Sequence, residues 1–246
     1  MISALIVAAG QGLRMGSAKR KQYINLLGCP ILVRTLQAFD QCLHIQRILV
    51  AVPRSEIDFC EQEIIPAAGL RNQVILIEGG NRRQDSVFNG LQFLGPEEGL
   101  VLIHDGVRPL VSIALIEACI QGAVRWGACI PAVMAVDTPK QIDARGIITQ
   151  TVIREQLQMA QTPQAFNLPL IHHAHCQARR LGRQATDDAS LVEALGVDVH
   201  VIAGLRENIK ITTPEDLVYA EALLRLRMQD RILTPAGRRS FLNRGE

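Results

Sequence analysis

The chain opens without the long apolar run that a signal peptide or a transmembrane helix needs. About seven apolar residues, with no basic region before them and glycine straight after, read instead as a buried strand. Net charge is nearly absent as well: 26 basic against 24 acidic side chains leave +2. Bulk electrostatics therefore do not suit a nucleic-acid binder, and any recognition of anions must be local. Paired cysteines are also lacking. Cys29, Cys42, Cys60, Cys119, Cys129 and Cys176 are scattered, with no CxxC pair and no histidine at ligand spacing. That pattern argues against a disulfide framework or a zinc site and suits reduced core thiols in a cytoplasmic protein. There is no internal repeat, no low-complexity segment and no placeable Ser/His/Asp or Cys/His arrangement, which argues against hydrolysis by a covalent route.

What is present is an ordinary globular composition, 48% hydrophobic and 20% charged over 246 residues, long enough for one large α/β unit with a substantial core. Short apolar runs recur at 4–9, 47–53, 74–80, 100–106, 128–137 and 199–204. They lack apolar/polar alternation, as expected of strands covered on both faces. Helical patterns lie between them at 30–42, 55–68, 82–94, 111–126 and 214–227, several opened by Pro30, Ser55 or Pro214, which are good start signals. Alternation of the two predicts a mostly parallel, doubly wound sheet. The segment 138–156 breaks the alternation. Its Ala144-Arg145-Gly146 between two strand-like arms predicts a β-hairpin, which is marginal alone and needs something to pack on, a partner subunit being one candidate. The basic tail over 231–246 carries no functional expectation.

In open parallel sheets ligands sit beyond the carboxyl ends of the strands. The first strand leads into AAGQGLRM and then KRKQY. This loop is neither of the familiar phosphate loops: Ser17 stands after Gly16 where a Walker loop needs lysine, Met15 replaces the third glycine of a dinucleotide fingerprint, and the first acid is Asp40. Gly10, Gly12, Arg14 and Lys21 in one loop nevertheless suit an anion cradle for a triphosphate, the alternative being a solvated basic loop in which Lys19, Arg20 and Lys21 face water. The third strand leads to Gly79 and Gly80, followed by Asp85 and Ser86 in the first turns of a helix. Free amide groups and a hydroxyl there suit a nucleobase or sugar edge, although an acid at that position is also good helix electrostatics. The fourth ends in HDGVRP, where Asp105 and Arg108 fit a ribose, metal or phosphate contact or a structural ion pair. Thr138, Arg154, Thr162, Thr186 and Lys210 follow as dispersed hydroxyls and cations. His172, His173 and His175 have no acidic neighbour at suitable spacing and read as a surface helix face.

The motifs AAGxGxRM with KQY, GGxxRxxSV, HDxxRP, the Asp-Thr before a hairpin and TVxR at its end, TPQxF, TDxAS and NIKxTxPEDL occur in that order. Together, over about residues 4–227, they resemble the 2-C-methyl-D-erythritol 4-phosphate cytidylyltransferase family. The resemblance implies the Rossmann-like nucleotide-diphospho-sugar transferase fold, as one domain over 1–230 with a β-arm at 137–156. It implies transfer of a cytidylyl group from CTP to methylerythritol 4-phosphate with loss of pyrophosphate, in non-mevalonate isoprenoid synthesis. Mg²⁺ would accompany CTP, with Asp105 the one candidate ligand from the protein. Residues implied as catalytic are Arg14, Lys21, Arg154 and Lys210. Ala8, Ala9, Gly10, Gly12, Asp85 and Ser86 would surround the nucleotide, and Asp105, Arg108, Thr138, Thr162 and Thr186 would approach the ribose, metal or sugar phosphate. A cytoplasmic homodimer exchanging its β-arms is implied too. The alternatives are a ribitol-5-phosphate cytidylyltransferase and, in another class, a non-catalytic nucleotide-binding protein. Two positions depart from the family's pattern: Arg20 where proline usually precedes KQY, and Gly106 where an alanine is commoner, expected to lie beside the substrate.

Overall fold

The computed structural model of the protein describes residues 1–10, 20–96 and 98–233. In chain order the first half comprises β1 (Ile2–Val7), β2 (Asn25–Leu26), β3 (Cys29–Pro30), α1 (Ile31–Asp40), β4 (Arg47–Val52), α2 (Ile57–Phe59), α3 (Ile65–Ala68), β5 (Val74–Glu78), α4 (Arg83–Leu94) and β6 (Leu100–Asp105). There follow α5 (Ile113–Trp126), β7 (Ala128–Met134), β8 (Lys140–Ile142), β9 (Ile148–Thr151), β10 (Gln158–Ala160), β11 (Gln164–Asn167), α6 (Leu168–Arg180), α7 (Ala189–Glu193), β12 (His200–Ala203) and α8 (Pro214–Leu233).

The six apolar runs become β1, β4, β5, β6, β7 and β12. An eight-stranded sheet runs β10-β7-β11-β6-β1-β4-β5, with β12 also paired to β7. β1 lies parallel between β4 and β6, with Ala4 opposite Ile48 and Leu102. Only β10 and β11 run against the rest. Their sequence, QMAQTPQAFN, is polar and interrupted by proline, so it carries no strand pattern of its own; the ladders of β6 and β7 impose the extended conformation.

Alternation along the strands feeds two cores, since successive side chains point to opposite faces. Ala4, Ile6, Ile48 and Val50 pack with Leu36 and Phe39 of α1 and Ile116 and Cys119 of α5. Leu5, Leu49, Val101 and Ile103 pack on the other face with Val87 and Leu91 of α4 and Ile171 and Ala174 of α6. A third cluster, around Leu26, Ile31, Leu110 and Ile211, is covered by Leu217, Ala220 and Leu224 of α8.

Helix ends follow local chemistry. The Ser112 side chain accepts from the Leu115 amide at 3.1 Å, and Gly127 closes α5 at φ 82°, a conformation that favours glycine. The helix expected over 55–68 is a composite: a 3₁₀ turn at Arg54–Glu56, α2, a π turn at Cys60–Ile64, then α3. Pro66 has no amide hydrogen to donate, so the regular ladder cannot pass it unbroken. Pro30 stands just before α1 as its N-cap, and α8 runs past the expected end at 227.

The predicted hairpin is present. Among the described residues β8 and β9 pair only with each other, and the Asp143 carboxylate caps the turn by accepting from the Arg145 and Ile147 amides, both at 2.9 Å. Its Ile142, Ile148 and Ile153 are exposed.

Phe166 is fully buried in β11 at the centre of the second core. Phe166→Ala is expected to lower stability by ~3–5 kcal/mol through the cavity it leaves, read from the midpoint shift in chemical denaturation.

Candidate active site

The carboxyl ends of β1 and β6 and the loop after β5 enclose an open cleft of about 140 Å³, lined by Ala8, Ala9, Gly10, Lys21, Gln22, Gly80, Asn81, Arg82, Arg83, Ser86, Asp105 and Lys210 among others. Close approach explains the glycines at its edge. A Cβ on Gly79 would stand 2.3 Å from that of Ala9, and one on Gly80 2.3 Å from that of Asp85. No real pair of carbons tolerates that distance, so only glycine lets the β5 loop fold against the end of β1.

Gln22, buried in the KQY turn, donates from Nε2 to the Ala8 carbonyl at 2.7 Å and so fixes Lys21 beside the cleft. Arg20, the residue standing in place of proline, ion-pairs with Glu56 at 3.2 Å and ties the same turn to the 3₁₀ segment. Gly106 does not line the cleft, contrary to expectation. It is buried behind Ala8 and Leu32, its carbonyl accepting from Thr35 Oγ1 at 3.1 Å, because the chain turns inward after Asp105. The Ser86 hydroxyl accepts from the Gly80 amide at 3.0 Å and donates to the Arg82 carbonyl at 3.2 Å, holding the β5 loop against α4.

Asp105 is the centre of the charge arrangement. Its Oδ1 accepts from Arg83 Nε at 3.0 Å, its Oδ2 lies 2.9 Å from Lys210 Nζ, and Arg108 Nε stands 3.6 Å away. Burial works to raise this carboxyl, but Arg83, then Lys210 and Arg108, outweigh it and hold it far below the usual carboxylate range. Arg83 reaches on through Nη1 to Asp188 at 2.7 Å. Asp188 is fully buried, and there too Arg83 and the His175 contact overcome the burial and lower the carboxyl. The buried Nη2 of Arg83 makes no hydrogen bond among the described residues.

A second chain of hydrogen bonds supports Asp105 from behind. Its amide donates to Thr162 Oγ1 at 3.2 Å, and Thr162 lies 2.9 Å from His104 Nδ1. His104 Nε2 faces the Arg108 carbonyl at 3.1 Å. A carbonyl can only accept, so the proton of the neutral ring sits on Nε2, Nδ1 accepts from the threonine hydroxyl, and that hydroxyl accepts from Asp105. Arg108 Nη1 donates to the Asn208 carbonyl at 2.7 Å, and Asn208 Nδ2 donates to the Thr162 carbonyl at 2.8 Å. The segment carrying Lys210 is thereby locked to β6.

Of the residues singled out in the sequence, Ala8, Ala9, Gly10, Lys21, Ser86, Asp105 and Lys210 share the cleft. Arg108 and Thr162 stand behind Asp105 as supports. The Asp85 carboxylate is turned away: it accepts from the Arg82 amide at 3.2 Å and pairs with Arg82 Nε at 3.3 Å. Thr138 and Arg154 lie exposed at the base of the arm, Arg154 donating to the Val136 carbonyl at 3.0 Å. Thr186 is exposed in the loop before α7. None of these three lines this chain's own cleft. Gly12 and Arg14 lie outside the described residues.

The surface reading of the histidines requires correction. His173 is exposed and His172 half-buried, but His175 is buried and faces Asp188 at 3.1 Å. The acid comes from 13 residues further along the chain, so helical spacing did not announce it. Residues that sequence reasoning passed over are Arg83, Gln22, His104, Asn208 and Asp188. A signal existed for Arg83, the arginine of GGxxRxxSV, and for Gln22, the middle of KQY; the other three are defined by tertiary contact. No group of three or more His, Cys, Asp or Glu that could hold a metal occurs among the described residues. Both Asp105 oxygens already face cations, which does not fit a resident metal site.

Burial pushes the His104 imidazole down to about 3. In the unfolded chain it titrates near its ordinary value of ~6.5. Unfolding therefore takes up a proton between these values, and the stability that the neutral ring contributes is lost as pH falls from 6.5 toward 3. The acid limb of stability against pH is expected to be shallower in His104→Gln than in the wild-type protein by up to ~1.4 kcal/mol per pH unit in that window. Equal slopes in urea unfolding between pH 4 and 6 would contradict it.

The model of the 2-C-methyl-D-erythritol 4-phosphate cytidylyltransferase family matches residues 2–226. An enzyme of that name from Pelotomaculum thermopropionicum is 43% identical over 236 residues, covering 96% of this chain and 99% of its own. The crystal structure of 4-diphosphocytidyl-2C-methyl-D-erythritol synthase from Anaerococcus prevotii superposes with a TM-score of 0.80 at 35% identity, over 91% of this chain and 96% of that one. The cytidylyltransferase from Thermus thermophilus gives 0.72 at 36% identity, over 91% and 98%. With this coverage of motifs, fold and cleft, the chain belongs to the 2-C-methyl-D-erythritol 4-phosphate cytidylyltransferase family.

Proposed function

We propose that the protein transfers the cytidylyl group of CTP to 2-C-methyl-D-erythritol 4-phosphate, forming 4-diphosphocytidyl-2-C-methyl-D-erythritol and pyrophosphate in non-mevalonate isoprenoid synthesis. The observation that carries this reading is the cleft whose described lining carries four cations, Lys21, Arg82, Arg83 and Lys210, and one carboxylate, Asp105. In the reaction, an oxygen of the substrate phosphate attacks the α-phosphorus of CTP. The bond to the β-phosphate oxygen breaks, and pyrophosphate carries off the electron pair. No proton needs to move and no protein nucleophile is required, so the barrier is mainly the mutual repulsion of anions. Positioned cations lower it.

Lys21, with Arg14 from the loop, neutralises charge on the α-phosphate. Lys210, oriented by Asp105, meets the incoming phosphate. Ala8, Ala9, Gly10, Gly12 and Ser86 surround the nucleotide with backbone and hydroxyl groups, and Asp85 shapes that wall by capping α4. Asp105 borders the ribose and sugar phosphate, and Arg108 and Thr162 act on that contact by holding Asp105 from behind. Mg²⁺ belongs to the substrate in this reading, held mainly by the phosphate oxygens of CTP, with Asp105 the nearest carboxylate.

Thr138 and Arg154 complete the site from a second copy of the chain. Support comes from their distance from this chain's own cleft and from the exposed Val136, Ile142, Ile147, Ile148 and Ile153. Such apolar side chains on a two-stranded arm call for a partner surface. The enzyme is accordingly a homodimer, with a cytoplasmic location that suits its free thiols. No helix among the described residues is long and apolar enough to cross a membrane.

Pyrophosphate release from CTP and Mg²⁺ is expected with methylerythritol 4-phosphate and far less with ribitol 5-phosphate offered alongside. The reverse preference would make the protein an activator of ribitol phosphate, and CTP binding without turnover would make it a nucleotide binder. Lys21→Ala should lower turnover by about 10²–10³-fold with the fold intact. Arg154→Ala and Lys210→Ala should each be nearly inactive alone. Mixed and re-equilibrated, they should recover up to about a quarter of wild-type activity, because half of the dimers then carry one complete site. No recovery on mixing, or a monomer of full activity by light scattering, would refute the exchanged arm.

A further inference from the structure

On the other side of the α4 N-terminus from the cleft lies a second cavity of about 210 Å³, walled by α4, α6 and the loop after α6. This is many times the ~10–15 Å³ that one water needs, so a small organic ion fits. Its wall carries three guanidinium groups, Arg82, Arg179 and Arg183, against one carboxylate, Asp85. Asp85 is already paired with Arg82 at 3.3 Å and caps the helix. Arg179 lies over the Phe88 ring at 4.5 Å and makes no ion pair among the described residues. The Arg183 side chain makes no ion pair among the described residues, while its backbone is held in place by Gln84, whose amide donates to the Arg183 carbonyl at 3.1 Å and accepts from the Ala185 amide at 3.0 Å. A rigid loop thus carries an uncompensated cation into the cavity.

His175 also forms part of the wall and is buried. Its Nε2 faces the Asp188 carboxylate at 3.1 Å, so the ring ties this wall to the ion pairs around Arg83.

We propose that this cavity binds a small multivalent phosphate-class anion at a site separate from the nucleotide cleft. Arginine is the side chain best matched to phosphate, because its planar fork of donors engages two oxygens at once. The occupant carries at least two negative charges, since the wall has a surplus of two guanidinium groups. Arg82 lines both cavities, and His175 connects through Asp188 and Arg83 to Asp105, so the second site abuts the groups that organise the first.

The test is calorimetric titration of the intact protein with inorganic pyrophosphate, which needs no turnover and is independent of the polyol phosphate used. Two binding events per chain are expected, one in each cavity. The double variant Arg179→Ala, Arg183→Ala alters only exposed side chains, and an unchanged melting temperature verifies its fold. It should lose one event and keep the other, whereas Lys21→Ala in the cleft should show the opposite loss. Pyrophosphate binding that is identical in the wild-type protein and the double variant would overturn the second site, whatever the enzyme's substrate proves to be.

Discussion

The buried carboxylate of Asp105 is the constraint on which the site depends. Placed at the end of β6, it gathers Arg83 from α4, Arg108 from its own turn and Lys210 from the segment before α8. Taking that charge out of water carries a large penalty, and three cations at hydrogen-bonding or near-hydrogen-bonding distance offset it. Leaving such a buried charge uncompensated typically costs ~3–5 kcal/mol. Stability and the arrangement of cations for phosphate chemistry are therefore coupled through one group. The same carboxylate keeps lysine and arginine side chains near one another that would otherwise repel.

Around Asp105 the molecule divides rigid support from reactive surface. The His104, Thr162 and Asn208 hydrogen bonds lie behind it, buried and fully directional. They fix the position of the carboxylate from the protein interior, so its outward oxygens are free to orient Arg83 and Lys210. Preorganisation of this sort is what an electrostatic catalyst requires, because dipoles and charges already in place need no rearrangement as charge develops. The neutral, fully buried His104 belongs to this support.

The β-arm shows a different physical logic. Its strands pair with each other and its turn is capped by Asp143, which fixes the register of a ribbon that is only marginally stable alone. Yet it leaves isoleucine side chains in water, which is unfavourable for an isolated chain. The proposed exchange between two copies resolves both facts at once, covering the apolar side chains and delivering Arg154 to a neighbouring cleft.

Much of the architecture was legible in the residues. The six apolar runs, the glycine pair at Gly79 and Gly80 and the hairpin around Gly146 follow from period, burial and turn chemistry, which act over a few neighbouring positions. The residue types of the cleft were legible too, because a phosphate-handling site needs cations and freed amides at strand ends. Other features depended on contacts between distant segments. The polar strands β10 and β11 exist because β6 and β7 offer ladders; His175 is buried because Asp188 arrives from beyond the helix; Asp85 turns to cap α4 while Arg83, two residues earlier in the same motif, reaches Asp105. Local sequence by itself determined where strands and turns can form and which charges are available. Only the tertiary structure decided which charges meet, because burial and pairing energies depend on distance in space, and chain separations of 22 to 105 residues, as between Arg83 and its two aspartates, leave no periodic trace.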